Sequence, residues 1–215
     1  MPHAMTRSTY DAFGNPIDMQ FLGRDGKLIL DQITHYGFAR MTSFYNANGR
    51  PIERRYFGAD GKPGTQKYPP VKRWIVNPAT GFTVRFENRD ENGQLVDGWG
   101  PALQVDQVDD YGRVVGTVYR NAAGEPVAGP RGASDIANTW IGSGTLMASS
   151  TLTGPGGQWI SDVGHTYDRR GTLLSSAWRD AVGNPAKGPD GCAVVEYVDG
   201  VEGRTALCDG VANHL

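Results

Sequence analysis

The sequence has no apolar run approaching the roughly 18 residues a helix needs to span a membrane. It also has little net charge, −2 over 215 residues. With no overall basic balance, there is no electrostatic footprint for nucleic acid. There are only four histidines, His3, His35, His165 and His214, and two cysteines. None has zinc-ligand spacing, so no metal site is expected. No Walker loop, dinucleotide fingerprint or Gly-x-Ser-x-Gly elbow stands in a strand-to-helix setting, so no cofactor is expected. No signal peptide is visible. Residues 1–6 read as an expression scar or a disordered lead, and the chain reads as a fragment whose export signal lies elsewhere.

Turn-forming residues are abundant. The chain holds 30 glycines and 13 prolines, with 39% hydrophobic and 10% aromatic residues. Glycine and proline punctuate a chain into turns, and the aromatic and β-branched residues between them favour short strands. Twelve glycine pairs are 12 residues apart, where chance placement gives about four, and such a fixed period marks a repeat architecture.

Six pairs define units: Gly14/Gly26, Gly49/Gly61, Gly81/Gly93, Gly112/Gly124, Gly144/Gly156 and Gly171/Gly183. Gly142/Gly154 is an equal alternative register for the fifth. Four residues before the first glycine stand Tyr10, Tyr45, Asn77, Val108, Trp140 and Tyr167. Three after it stand Ile17, Ile52, Val84, Val115, Met147 and Leu174, all apolar. Seven after it stand Phe21, Tyr56, Asn88, Tyr119, Thr151 and Trp178. The last two rows share parity and are expected on one buried face. Asp or Asn before the glycine is expected to cap the turn, and glycine to supply its positive φ.

The expected fold is all-β. It consists of six hairpin units of about 32 residues, in an elongated twisted antiparallel sheet or β-solenoid, with a closed six-bladed propeller-like array as the alternative. Residues 7–215 form a single repeat domain, with units near 10–36, 45–64, 77–98, 108–130, 140–159 and 167–188 and a partial cap at 192–210. Gly64–Val76 reads as an irregular insertion. Cys192 and Cys208 flank a segment of hairpin character, close enough for a disulfide, which favours an oxidising compartment.

The segments Tyr10-Asp11-x-x-Gly14 and Tyr167-Asp168-x-x-Gly171, with Tyr45-Asn46-x-x-Gly49, resemble the YD repeats of bacterial Rhs-type proteins. The phrase Tyr56-Phe57-Gly58-Ala59-Asp60-Gly61-Lys62-Pro63 resembles glycine- and aromatic-rich repeats of bacterial surface and cell-wall-binding proteins. The resemblance implies a β-hairpin repeat and a secreted, surface or periplasmic location. Two departures stand against it. Rhs-type shells use many more units, and YD repeats are shorter, at about 20 residues.

The candidate binding residues are Trp74, Trp99 and Trp159, which lie outside the repeat rows, with the basic Arg54, Arg55, Lys72 and Arg73. They suggest a protein or glycan partner. The expected function is a non-catalytic binding or scaffold module of a larger bacterial secreted or surface protein. The alternatives are an immunity or inhibitor protein that neutralises a toxin or enzyme, and a toxin or hydrolase domain. The last would draw on Ser149, Ser150, Asp162, His165 and Asp168 in and beside the diverged fifth unit.

Overall fold

The structure, a computed structural model, describes residues 5–31, 37–98, 100–200, 203–209 and 211–212. Trp99 and the histidines His3, His35 and His214 lie outside the described residues. The chain forms two compact units, Met1–Val105 with Tyr119–Glu125, and Asp106–Val118 with Pro126–Leu215.

The strands are β1 (Met5–Tyr10), β2 (Pro16–Leu22), β3 (Arg40–Tyr45), β4 (Pro51–Phe57), β5 (Val71–Val76), β6 (Thr83–Arg89), β7 (Leu103–Val108) and β8 (Val114–Arg120). They continue with β9 (Asp135–Trp140), β10 (Met147–Thr153), β11 (Trp159–Tyr167), β12 (Leu173–Arg179), β13 (Val194–Gly200), β14 (Gly203–Cys208) and β15 (Val211–Ala212). A single 3-10 turn, Pro130–Gly132, is the only helical element among the described residues. Within each unit every strand pairs antiparallel with its neighbours in sequence. The sheet is open: β1 pairs only with β2, and β15 only with β14.

The turns follow from local chemistry. At the first turn, the Asp11 carboxylate accepts from the amides of Phe13 and Asn15, while Gly14 donates to the Asp11 carbonyl. Asn46, Asp109 and Asp168 repeat this pattern. The first strands β1, β3, β5 and β11 end with a register slip, as between Thr9 and Tyr10 or Thr166 and Tyr167. A glycine with positive φ closes the loop, +84° at both Gly14 and Gly171. This is the bulged hairpin that a left-handed glycine permits.

The row seven residues after the glycine is where the sheet meets its connecting loops. The amides of Phe21, Tyr56, Asn88 and Trp178 donate to the carbonyls of Ala39, Pro70, Ala102 and Ala193. Their carbonyls accept from Ile29, Gly64, Val96 and Ala186. Phe21, Tyr56 and Asn88 are buried as a result, and Phe21, Phe38, Met41 and Tyr56 form a small core in the first unit. The row three after the glycine shares that face but lies nearer the turns, where no loop crosses it. Ile52 and Leu174 are exposed, so this row is not the core expected from its apolar character.

Two further expectations are corrected. The Gly64–Val76 segment is not irregular throughout, since Val71–Val76 is strand β5. In the fifth unit neither glycine register holds intact. Gly144 donates to the Ile141 carbonyl, as a first-turn glycine does, but the loop closes one residue later, at Leu146. The second turn then falls on Gly157, φ +75°. The extra residue puts Leu152, 3% exposed, at the buried position instead of Thr151. After Gly157 the chain runs straight into β11, the first strand of the next hairpin. The missing connecting loop explains why that unit is short.

Candidate binding site

The four basic candidates are adjacent in sequence pairs, and strand alternation sends the members of each pair to opposite faces. Arg54 stands opposite Lys72, and Arg55 opposite Val71, while Glu53 stands opposite Arg73.

On one face the charges are compensated. The Glu53 carboxylate binds Arg55 and Arg73, each at 2.7 Å. The buried Glu87 binds Arg85 and Arg89, each at 2.6 Å. Burial works to raise both glutamate pKa values, but the guanidiniums overcome it and hold both below the ordinary glutamate range. Glu53, Arg55, Arg73 and Arg89 line a cavity of about 170 Å³ with Phe57, Pro70 and Val71.

On the other face the cations have no such partners. The in-register row Ser43, Arg54, Lys72 and Asn88 crosses β3, β4, β5 and β6. Among the described residues no carboxylate forms an ion pair with Arg54 or Lys72. Aromatic rings hold them instead. The Arg54 guanidinium lies 5.5 Å from the Trp74 ring centroid. The Lys72 ammonium lies 5.2 Å from that of Tyr68 and 5.3 Å from that of Phe86. Burial, then the Arg54 charge, depresses the Lys72 pKa. The rings pack on each other: Trp74 meets Phe86 edge-on at 5.6 Å, and Tyr56 stacks on Tyr68 at 4.5 Å. Ser43 and Tyr68 also belong to this face but had no signal in the sequence rows, because strand register brings Ser43 there and the loop before β5 brings Tyr68; Asn88, from the row seven after the glycine, completes it.

Trp159 opens β11 in the second unit, half-buried opposite Thr153, and is not part of this cluster. The proposed serine–histidine–aspartate group is not assembled. The Ser149 hydroxyl bonds Thr139 at 2.7 Å. Asp162 accepts from Thr151, and Asp168 caps its turn. His165 instead pairs with Ser176 across β11 and β12, at 2.9 Å. Ser176 is 4% exposed, and burial lowers the His165 pKa. Among the described residues no carboxylate is bonded to this pair, which reads as a cross-strand hydrogen bond. Cys192 and Cys208 form the expected disulfide, with Cα atoms 5.3 Å apart at the base of the β13–β14 hairpin. No helix of the described residues is long and apolar enough to cross a membrane.

Fold and site together define an all-β hairpin-repeat protein with a cation and aromatic row on the sheet of its first unit. No family model matches the sequence, and no curated protein matches it either. Solved structures do. The chain is similar to part of a crystal structure of TcdB2-TccC3-TEV, with a TM-score of 0.51 and 12% identity, over 95% of this chain and 10% of that one. It also aligns with the Photorhabdus luminescens Tc holotoxin pore, with a TM-score of 0.47 and 12% identity, over the same 95% and 10%. The first likeness is one of fold, and the chain spans about a tenth of the length of the structures it matches.

Proposed function

We propose that this chain is a non-catalytic β-repeat module, a scaffold segment of a larger bacterial secreted or surface protein that engages a protein or glycan partner. The observation that carries this reading is the repeated hydrogen-bonded step. The same turn and the same loop docking recur along the chain, and each new hairpin adds to the edge of the last. Such an array grows by accretion and presents continuous surface. The likeness in fold to a tenth of TcdB2-TccC3 supports membership of a longer repeat assembly. It also supports the YD-type repeat relationship suggested by the Tyr-Asp turns. The Cys192–Cys208 bridge supports an oxidising compartment.

The test is to isolate the native protein from its organism, separating cytosolic from secreted and surface fractions under non-reducing conditions. The expected result is a secreted or surface polypeptide or complex several-fold larger than this 23.2 kDa chain, with the disulfide intact. A free 23.2 kDa cytosolic protein with reduced thiols would overturn it. Small-angle scattering checks the array. An open, extended one has a radius of gyration well above the roughly 17 Å of a compact chain of this length.

A further inference from the structure

We propose that the cavity over β4, β5 and β6 is a binding site for one neutral pyranose ring of a glycan. The proposal rests on the reading of the chain as a partner-binding module, and it names the glycan as the partner.

Strand register assembles the site. Glu53, Arg55 and Phe57 alternate along β4 and so share a face. Arg55 stands opposite Val71, and Val71 opposite Arg89, while Glu53 stands opposite Arg73. Val71 is thus flanked by an arginine on each neighbouring strand. The loop before β5 adds Pro63 and Pro70, and the turn after β6 adds Asp90 and Glu91. The polar groups can be reached from solvent, since the side chains of Arg55 and Arg73 are 50% and 46% exposed.

The charge balance selects the ligand. Three guanidiniums, of Arg55, Arg73 and Arg89, line the cavity together with three carboxylates, of Glu53, Asp90 and Glu91. The lining is therefore neutral and draws neither an anion nor a cation. Donors and acceptors side by side suit a group that both donates and accepts, as a sugar hydroxyl does. Two of the donors are held in place beforehand. Arg55 and Arg73 each donate Nε to a different oxygen of Glu53, at 2.7 Å, and a guanidinium carries further Nη donors beyond its Nε. Such preorganisation lowers the cost of ordering side chains on binding. Phe57, Pro63, Pro70 and Val71 supply an apolar wall, against which the C–H face of a pyranose can lie. A mainly apolar wall with a few convergent polar groups is the usual form of a small-ligand site. The volume agrees. At about 170 Å³ the cavity is well below the roughly 300–1,000 Å³ of sites for drug-sized ligands, and it suits a single ring.

The experiment titrates the full nitrogen-15-labelled chain with cellotriose, chitotriose, maltotriose and mannotriose, read by NMR, with trigalacturonate as the charged comparison. Saturable binding of at least one neutral trisaccharide is expected. Signals of the Phe57 and Val71 amides and of the Arg73 Nε–H should shift, and the Trp74 indole, on the opposite face, should not. Because the lining charges cancel, added salt should leave the affinity unchanged within about twofold. Val71→Phe fills the cavity and keeps every charge. It should weaken binding about tenfold or more, and so should Arg73→Gln, which removes charged hydrogen bonds. Lys72→Met, on the opposite face, should leave binding unchanged, and an unaltered Trp74 indole signal shows that the sheet is intact in each variant. Absence of saturable binding by all four neutral sugars overturns the proposal. So does tighter binding of trigalacturonate, or wild-type affinity in Val71→Phe. Failure here alongside a secreted complex of the expected size removes this site and keeps the scaffold reading, whereas sugar binding by a chain found free in the cytosol does the reverse.

Discussion

The hydroxyl of Tyr45 donates to the backbone carbonyl of Pro16 at 3.1 Å, although the two residues are 29 positions apart. Pro16 is the first residue of β2, and Tyr45 is the last of β3. Tyr167 makes the equivalent bond to Met147 at 2.9 Å, and the Trp140 indole to Val114 at 3.1 Å. In each case the aromatic four residues before a unit glycine reaches the first residue of a strand in the preceding unit. Its polar tip thus ties one hairpin to the one before. Removing the tip tests this. Tyr45→Phe and Tyr167→Phe should each lower stability by about 1 kcal/mol, the usual worth of one hydrogen bond, in denaturant unfolding, without changing the strand content seen by circular dichroism.

The turn aspartates predict an acid transition. The Asp168 carboxyl is held below the ordinary value by hydrogen bonds, chiefly from the Thr172 amide. Asp11 is lowered first by the Asn15 side chain, and Asp109 first by Arg113. A carboxyl whose folded pKa is depressed stabilises the fold fully above its unfolded pKa, about 3.9 for aspartate. That contribution fades as pH falls through the lower, folded value. Melting temperature should therefore fall as the pH is lowered below about 4. Asp168→Asn should keep the turn, as Asn46 does at the equivalent position, and should flatten part of that pH dependence.

Two glycines should respond differently to the same substitution. At Gly188 an added Cβ meets the Trp178 ring at 2.5 Å, so Gly188→Ala must displace the indole. A loss of about 1–3 kcal/mol is expected from this overpacking, together with a shift in tryptophan emission. At Gly14 nothing lies within 4 Å of the added atom, and only the φ of +84° resists it. Gly14→Ala should cost about 1–2 kcal/mol of backbone strain and leave the emission unchanged. Thermal melts with simultaneous fluorescence separate the two causes.

The Cys192–Cys208 bridge closes a loop with a sequence separation of 16. Constraining a loop of that size in the unfolded chain contributes about 3 kcal/mol in the chain-entropy model. Cys208→Ala, or reduction with a thiol, should destabilise the C-terminal hairpin β13–β14 by that order. Hydrogen exchange should show the loss concentrated in Val194–Cys208 and should leave β3–β6 protected.

The buried Glu87 carries a different kind of risk. It balances Arg85 and Arg89 on the charge-compensated face. Glu87→Gln leaves both guanidiniums with weaker acceptors, and a loss of about 1.5–3 kcal/mol is expected from the charged hydrogen bonds. A double-mutant cycle with Arg89→Gln, read by denaturant unfolding, should recover part of that loss by removing one of the stranded charges.

The turns were legible in the sequence because each is made by residues within five positions of one another. An Asp or Asn side-chain oxygen, two nearby amides and a left-handed glycine form it. The strands between the turns, the all-β class and the Cys192–Cys208 bridge followed from the same local spacing. What tertiary structure decided was which side chains met each other. Loops that cross the sheet at the row seven after the glycine bury Phe21 and Tyr56 and leave Ile52 exposed, although all three share a face. One additional residue in the fifth first turn moved burial from Thr151 to Leu152. The basic run Arg54, Arg55, Lys72 and Arg73 was visible as composition, but only strand pairing set Arg55 and Arg73 on Glu53 and left Arg54 and Lys72 together among rings. Local hydrogen bonds depend on neighbours along the chain, whereas burial and charge partners depend on neighbours across it, and register is set only when the strands have met.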